Sequence, residues 1–273
     1  MKCVTFNPLR TIGIPNLFYI KPEQMLRHQK EIMEADWLLF PDYWQVNTLV
    51  YGLKKAIFPS TAAFHLGHDK VEMTRVLEAV CPKHIPYTRI LGNSESNIES
   101  ILEEFSFPVI AKEIRNSMGQ GVFLIENEKQ LRDYAGRNDV LYIQERLPID
   151  RDLRIAVIGD KAIGAYWRVG AENSHLNNVS AGGKISFDPV PREAIDLVEH
   201  VARQLGIDHA GFDVAVVGNQ YYIIEFNVLF GNVAFQKMNV SIEQHILEYL
   251  QSLYNPTTPP TIPPAFDNRR KSS

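Results

Sequence analysis

The stretch GFDVAVV at residues 211–217, with YYIIEFN at residues 221–227 close behind it, is the most informative part of this sequence. Both segments are rich in β-branched and aromatic residues, which favour strands. The three residues 218–220, Gly-Asn-Gln, separate them, and this spacing predicts a β-hairpin with a three-residue loop. In that register Val217 lies opposite Tyr221.

The same register places two carboxylates opposite each other, because Asp213 then pairs with Glu225. Side chains alternate between the faces of a strand, so Asn227 points the same way as Glu225. Two anions so close together among apolar neighbours require a cation, or one of them protonates. Magnesium suits such a pair, since it takes oxygen ligands and few protein carboxylates. The alternative is a strand with an acidic outer face, because a two-residue loop would put Asp213 and Glu225 on opposite faces.

A lysine lies within another apolar segment, PVIAKEI at residues 108–114. Buried lysines usually have an anionic partner, and a nucleotide phosphate is one candidate for Lys112. The loop RNSMGQG follows at residues 115–121, and a glycine loop between two strands can lay backbone N–H groups over phosphates. The alternative is an ordinary turn beside a lysine whose ammonium group reaches solvent.

Further polar residues end or begin apolar strands. Gln144 and Glu145 end one strand and could present hydrogen-bonding groups to an adenine edge, or simply meet solvent. Asp152 and Arg154 share one face of the next strand, where arginine could clamp a phosphoryl group or form a surface ion pair. The polar loop at residues 177–183 is either substrate-binding or merely a connection.

Composition limits the class of protein. The chain has 273 residues, 45% of them hydrophobic, with a net charge of −4, no long basic run within the fold and no apolar run that could span a membrane. These features argue against nucleic acid as the main partner and against a membrane protein. The N-terminus lacks signal-peptide features, and Cys3 and Cys81 form no disulfide framework, so we expect a cytoplasmic protein. Residues 256–273, which are rich in proline, are expected to form a disordered tail.

Strand-like and helix-like segments alternate along the rest of the chain, which predicts an α/β protein. Residues 1–65 are expected to form a small parallel α/β unit. The pattern predicts, among other elements, a strand at Ile12–Ile20, helices at Glu23–Glu34, Val46–Lys55 and Pro191–Leu205, and a hairpin of Leu153–Ile158 and Ala162–Val169 turning at Gly159-Asp160.

Taken in order, these motifs resemble the ATP-grasp superfamily, and its RimK-type ligases most closely. The resemblance covers about 160 residues and rests on seven pieces: His68-Asp69-Lys70, VIAK ending at Lys112, SMGQGV from Ser117, Gln144-Glu145, Asp152-Leu-Arg154, Asn178 ahead of Gly182-Gly183, and GFD…IIEFN. It implies an ATP-grasp fold of two subdomains that enclose ATP, at residues 66–255 with a lid at about 106–146, behind the short N-terminal domain.

The resemblance also implies a role for each matching residue. Lys70 and Lys112 would contact the ATP phosphates beneath the loop of Ser117, Gly119 and Gly121. Gln144, Glu145 and the backbone of Arg146 would face the adenine and ribose, with Asp152 near the nucleotide. Arg154, assisted by Asn178, would stabilise an acyl phosphate, and Asp213, Glu225 and Asn227 would hold one or two Mg²⁺ ions, with Mn²⁺ as an alternative.

The expected activity is ATP-dependent ligation, in which a carboxylate becomes an acyl phosphate and is then attacked by an amine. The expected substrates are a carboxylate on a small molecule, peptide or protein tail, and an amino-acid amine. A homo-oligomer is compatible with the resemblance. A non-catalytic ATP-binding protein and a phosphotransferase of the same fold are the two alternatives.

Overall fold

The computed structural model describes residues 1–114, 121–170 and 184–254. The chain forms two compact units: the first combines Met1–Phe64 with the segment that begins at Ser241, and the second is His65–Val240. The domain boundaries expected from the sequence stay predictions.

The first unit is a small parallel α/β unit. Its four strands follow the order β2-β1-β3-β4, and every neighbouring pair is parallel. The aromatic ring of Tyr249, from the C-terminal helix, packs 6.1 Å from that of Phe58. Its elements are β1 (Cys3–Thr5), β2 (Leu17–Tyr19), α1 (Gln29–Glu34), β3 (Trp37–Leu39), α2 (Tyr43–Asn47), β4 (Ile57–Phe58), α3 (Thr61–His68), which runs on into the second unit, and α9 (Ile242–Leu253).

Three predicted elements of this unit have different bounds. The strand expected over Ile12–Ile20 shrinks to β2, because Gly13 and Asn16 adopt positive φ angles of 86° and 55° and interrupt the extended chain. The helix expected over Glu23–Glu34 begins as a 3₁₀ helix, Pro22–His28, before α1. The helix expected over Val46–Lys55 starts earlier, at the Asp42 cap of α2, and ends as a π-helical turn, Thr48–Gly52.

The second unit contains two antiparallel sheets and the helices that cover them. The four-stranded sheet has the order β5-β8-β6-β7, and the five-stranded sheet has the order β11-β10-β9-β12-β13. Its elements are α4 (Lys70–Val80), β5 (Thr88–Gly92), α5 (Glu95–Glu104), β6 (Val109–Lys112), β7 (Val122–Ile125), α6 (Glu128–Ala135), β8 (Val140–Glu145), β9 (Arg151–Ile158), β10 (Lys161–Val169), β11 (Lys184–Ser186), α7 (Arg192–Leu205), β12 (His209–Val217), β13 (Gln220–Asn227) and α8 (Val233–Lys237).

Local sequence explains the helices of this unit. The side chains of Ser94 and Asn127 accept backbone N–H groups at the starts of α5 and α6, which fixes both N-termini. These two helices bury Ile101 and Leu131 against the four-stranded sheet. Helix α7 confirms the predicted helix within one residue and ends at Gly206, whose φ of 68° suits glycine.

Both hairpins of the five-stranded sheet form, and each contains a β-bulge. The β9–β10 hairpin turns at Gly159-Asp160 as predicted, and Ile163 is the extra residue between the pairs Ala162–Val157 and Gly164–Ala156. A bulge of this kind inserts one unpaired residue into one strand and restores pairing beyond it.

The β12–β13 hairpin corrects the predicted loop. Val217 pairs with Gln220, so the loop is the two residues Gly218-Asn219, and Gly218 has the positive φ of 58° that glycine adopts readily. A two-residue loop alone would separate the two carboxylates. Ile224 bulges out, however, and the register beyond it pairs Asp213 with Glu225 as predicted. Across the described ranges, no helix is long and apolar enough to span a membrane.

Candidate functional site

A row of polar residues crosses one face of the five-stranded sheet. Asp213 on β12 is paired with Arg154 on β9 and with Glu225 on β13. Arg154 is paired in turn with Tyr166 on β10. Paired residues in adjacent strands point to the same face about 4.8 Å apart, so these four side chains form a continuous row.

A second pair of charges lies two residues along β9 and β10 from this row, on the same face of the sheet. Asp152 is opposite Arg168, and the Arg168 guanidinium donates to both oxygens of that carboxylate, at 2.7 and 2.8 Å. A terminal nitrogen of Arg168 also lies 2.9 Å from Oδ2 of Asp213. Nε of Arg154 is 2.6 Å from Oδ1 of Asp213, although the two atoms are not aligned as a hydrogen bond. Two arginines therefore neutralise two buried aspartates.

Glu225 lies near another predicted metal ligand, Asn227, and near both predicted phosphate-binding lysines. Its Oε1 accepts a hydrogen bond of 3.2 Å from the amide of Asn227. Burial alone would raise the pKa of Glu225, but the ammonium groups of Lys112 and Lys70 hold it below its ordinary value. Burial lowers the pKa of Lys112, although Glu225 and Asp213 act in the opposite direction. The structure thus brings Lys70, Lys112, Glu225 and Asn227 together.

Neighbouring elements hold the two lysines in place. The hydroxyl of Tyr134 donates to the Lys112 carbonyl oxygen at 2.7 Å, and the Lys112 ammonium lies 5.5 Å from the ring centre of Tyr142. The backbone N–H of Lys70 donates to the carbonyl of Ile114, just beyond β6. The backbones of both phosphate-binding candidates are therefore anchored by neighbouring elements.

A glycine makes room for Arg154. A Cβ atom at Gly211 would lie 2.7 Å from Nη1 and 3.0 Å from Cδ of Arg154, and also 3.0 Å from Cβ of Phe230. The Phe230 ring stacks on buried His209, whose Nδ1 is 2.7 Å from the Val228 carbonyl oxygen. The segment after Asn227 is thus packed against the strand that carries Asp213.

The predicted adenine-facing residues have partners within the four-stranded sheet. Gln144 is buried and its amide donates to the Thr88 hydroxyl at 2.8 Å. Glu145 accepts the backbone N–H of Tyr87 at 2.7 Å, and Arg146 beyond it is exposed. These contacts fix the end of β8 but bring none of the three side chains into the charged cluster.

Three predicted residues, Ser117, Gly119 and Asn178, lie outside the described residues. Gly121 is the first described residue after the range 115–120. Its φ is 75°, and its carbonyl oxygen accepts a hydrogen bond of 2.7 Å from the backbone N–H of Glu113. The roles of all four residues stay predictions.

The oxygen ligands fit magnesium better than a soft or borderline metal. Among the described residues, no group of three or more His, Cys, Asp and Glu side chains could hold a metal ion. Asp213, Glu225 and Asn227 offer two carboxylates and an amide, which is the small share of ligands that a phosphate-bound Mg²⁺ takes from a protein. Oδ1 of Asp213 is buried and accepts no hydrogen bond, although Nε of Arg154 lies 2.6 Å from it, so this oxygen is left without a hydrogen-bond donor.

Two residues of the site were not identified from the sequence. Arg168 follows three apolar or aromatic residues in a strand, and only its register opposite Asp152 reveals its role. Gly211 was noted as part of GFD, but the need for a residue without a Cβ atom appears only from the path of the Arg154 side chain.

The sequence matches a known protein family over more than half of the chain. Residues 67–250 match the family model described as the RimK-like ATP-grasp domain. The chain is 28% identical over 158 residues to human N-acetylaspartylglutamate synthase A, covering 55% of this chain and 40% of that protein. It is 26% identical over 208 residues to a probable alpha-L-glutamate ligase of Haemophilus ducreyi, covering 73% of this chain and 67% of that protein. This chain therefore spans less than half of the length of the human relative.

The fold also matches a solved structure. The RimK domain ATP-grasp protein from Sphaerobacter thermophilus superposes with a TM-score of 0.68 at 14% identity, covering 91% of this chain and 99% of that one. At this identity the match establishes the fold alone, and it confirms the predicted mixed α/β architecture.

Proposed function

Because the chain belongs to the RimK-like ATP-grasp domain family, we propose that it is an ATP- and magnesium-dependent ligase that joins a carboxylate to an amine. The observation that carries the proposal is the single cluster of Arg154, Asp213, Glu225 and Lys112. Phosphoryl transfer needs cations around the phosphates and anions that hold a metal. The cluster supplies both, since two of these side chains are cations and two are carboxylates.

The balance of charge in the cluster suits a nucleotide. Lys70, Lys112, Arg154 and Arg168 supply four positive charges, and Asp152, Asp213 and Glu225 offset three of them, with Asp69 and Glu113 also acting on Lys70. These side chains cannot neutralise a nucleoside triphosphate alone. A magnesium ion held by Asp213, Glu225 and Asn227 would supply the remaining positive charge on the phosphates.

The chain's own residues then have distinct tasks. Lys112 and Lys70 would bind and orient the phosphates so that the terminal phosphorus faces the incoming carboxylate oxygen. Forming that O–P bond breaks the bond to ADP and gives an acyl phosphate. Arg154 would stabilise its developing charge. Attack by the amine nitrogen forms the C–N bond and expels phosphate, so the oxygen that was a poor leaving group departs with phosphorus.

The Haemophilus ducreyi relative is named a probable alpha-L-glutamate ligase, which favours an amino acid as one substrate. We propose an amino-acid amine and a carboxylate on a small molecule or peptide as the substrate classes. Asn178 would assist Arg154 at the acyl phosphate, and the loop of Ser117, Gly119 and Gly121 would close over the phosphates.

The test is ADP release with Mg-ATP and pools of amino acids, short peptides and acidic acceptors. Lys112→Ala removes a buried ammonium of the cluster and should abolish any pool-dependent release. The matched control is Lys129→Ala, because Lys129 is an exposed lysine on helix α6 that forms an ion pair of 2.8 Å with Asp133. We expect wild-type rates in this control.

Mass spectrometry of the active pool separates the alternatives. A product that gains the amine and keeps no phosphate supports ligation, whereas a phosphorylated product indicates a phosphotransferase. Nucleotide binding in a calorimeter without turnover in any pool would contradict the ligase proposal and indicate a nucleotide-binding protein. Equal release by wild type and Lys112→Ala would remove Lys112 from the proposed mechanism.

A further inference from the structure

Arg168 is the most deeply buried cation of the five-stranded sheet, with 4% of its surface exposed. It lies on β10, and its guanidinium contacts two carboxylates on two different strands. One is Asp152 on the adjacent β9, held by two hydrogen bonds of 2.7 and 2.8 Å. The other is Asp213 on β12, whose Oδ2 lies 2.9 Å from the terminal guanidinium nitrogen that also donates to Asp152.

Only a long, forked side chain can make this bridge. Adjacent strands are about 4.8 Å apart, so β10 and β12 are separated by roughly twice that distance. On β12 the residue paired with Asp152 is Ala215, whose side chain is small. Lysine carries the same charge but offers one ammonium in place of a planar fork.

Arg168 and Arg154 together fix the carboxylate of Asp213. Oδ2 is held by Arg168 and also accepts a hydrogen bond of 3.3 Å from Arg154. Oδ1 is buried and accepts no hydrogen bond. Oδ2 of Asp213 is thus held by both arginines, and Oδ1, which lies 2.6 Å from Nε of Arg154, is left without a hydrogen-bond donor.

We infer that Arg168 is a positioning residue for the cation: it holds Oδ2 of Asp213 and so fixes the orientation of a carboxylate that would be a metal ligand together with Glu225. This inference rests on the proposed function, since it assumes that a metal–nucleotide complex occupies the cluster. Arg168 does not touch the reacting atoms. Its loss leaves the Asp152 carboxylate without its two hydrogen bonds and leaves Asp213 held by Arg154 alone.

The experiment measures metal binding rather than activity. Mn²⁺ is titrated into wild type, Arg168→Met and Arg168→Lys, with and without the non-hydrolysable analogue AMP-PNP, and free Mn²⁺ is followed by electron paramagnetic resonance. Residues that orient metal ligands typically contribute about 10- to 100-fold to metal affinity, so we expect a loss of this size in Arg168→Met. Arg168→Lys keeps the charge without the fork and should recover only part of the loss.

The matched control is Arg151→Met, the same substitution on the adjacent strand. Arg151 forms an ion pair of 3.1 Å with Asp188 and its guanidinium lies 4.1 Å from the Trp167 ring centre, outside the cluster. We expect it to bind Mn²⁺ as wild type does. Circular dichroism and melting temperature are recorded for every variant, because a purely architectural role would lower the melting temperature without changing the Mn²⁺ dissociation constant.

The outcomes are distinct. A folded Arg168→Met that binds Mn²⁺ as tightly as Arg151→Met overturns the inference while leaving the ligase proposal intact. Where Arg168→Met does not fold, Arg168→Lys decides, and wild-type Mn²⁺ affinity in that variant overturns the inference. Failure of the wild type itself to bind Mn²⁺ with AMP-PNP contradicts the proposed metal site, and the role of Arg168 falls with it.

Discussion

Replacing Gly211 by alanine tests whether the path of Arg154 is as tight as the structure indicates. The added Cβ would lie 2.7 Å from Nη1 of Arg154, and 3.0 Å from both its Cδ and Cβ of Phe230. To reach ordinary contact at 3.4 Å, Nη1 must move by about 0.7 Å and the other two atoms by about 0.4 Å each. The guanidinium can swing away, but Cβ of Phe230 moves only with its backbone.

The magnitude follows from the kind of clash. Adding a methyl group to a well-packed interior typically costs about 1–3 kcal/mol of unfolding free energy. In a domain of this size each kcal/mol lowers the melting temperature by roughly 2–4 °C. The displaced Arg154 also loses its 2.6 Å approach to Asp213, so ADP release in the presence of substrate should fall as well.

Thermal and urea unfolding of Gly211→Ala measures the first effect. The control is Gly92→Ala, at the exposed end of β5, where a Cβ meets nothing within 4 Å. We expect this variant to match wild type. A double-mutant cycle with Arg154→Ala identifies the clashing partner, because removing the Arg154 side chain should relieve part of the cost at position 211. Equal stability of Gly211→Ala and Gly92→Ala, or no coupling to Arg154, would refute the reasoning.

Two further predictions concern Glu225 and Tyr134. Since the pKa of Glu225 is held below its ordinary value of about 4.3, its ionised form stabilises the fold above that pH, and this stability is lost as the pH falls through the folded-state pKa. Glu225→Gln should therefore be less stable than wild type at pH 7 by urea unfolding, with the difference shrinking below about pH 4; a difference independent of pH contradicts this. Tyr134→Phe removes the buried hydrogen bond to the Lys112 carbonyl and should cost about 1 kcal/mol by the same assay, an unchanged midpoint being the contrary result.

The sequence was sufficient for the type and order of most elements of the second unit. Helix α7 was recognisable because its apolar residues repeat at helical spacing and glycine follows its end. Lys112 stood out because an ammonium inside an apolar strand needs a partner, and the structure places Glu225 and Asp213 near it. The first unit was harder to predict, because its short segments depend on positive φ angles at Asn16 and Lys54, which sequence alone does not reveal.

The functional assignments depended on more than strand patterning. Spacing alone left the metal site and an acidic surface strand as alternatives, and the order of seven weak motifs favoured the metal. The structure now places Asp213 with 4% of its surface exposed, and it lies between two arginines, which excludes the acidic-surface alternative for that residue. A solvated acidic face would need no such neutralisation.

The two β-bulges explain why the site could be only partly derived from the sequence. If Ile163 were paired in a regular ladder, the register Lys161–Ile158 set by the turn at Gly159-Asp160 would continue and bring Arg168 opposite Arg151 instead of Asp152. If Ile224 were paired in the same way, the register set by the two-residue loop would place Asp213 opposite Ile224 instead of Glu225. Because strand side chains alternate with period two, each single-residue slip would also turn the later side chains to the other face.

Neither bulge has a sequence signal, since Ile163 and Ile224 are ordinary strand residues by type. Each bulge nevertheless brings opposite charges, or a carboxylate pair, into register near the centre of the sheet. Deleting Ile224 should therefore give a regular ladder in which Asp213 still pairs with Glu225, whereas an Ile224 paired within the ladder would face Asp213 in place of Glu225. The geometry of this site is thus set less by which charged residues the chain contains than by where two apolar residues leave the ladder.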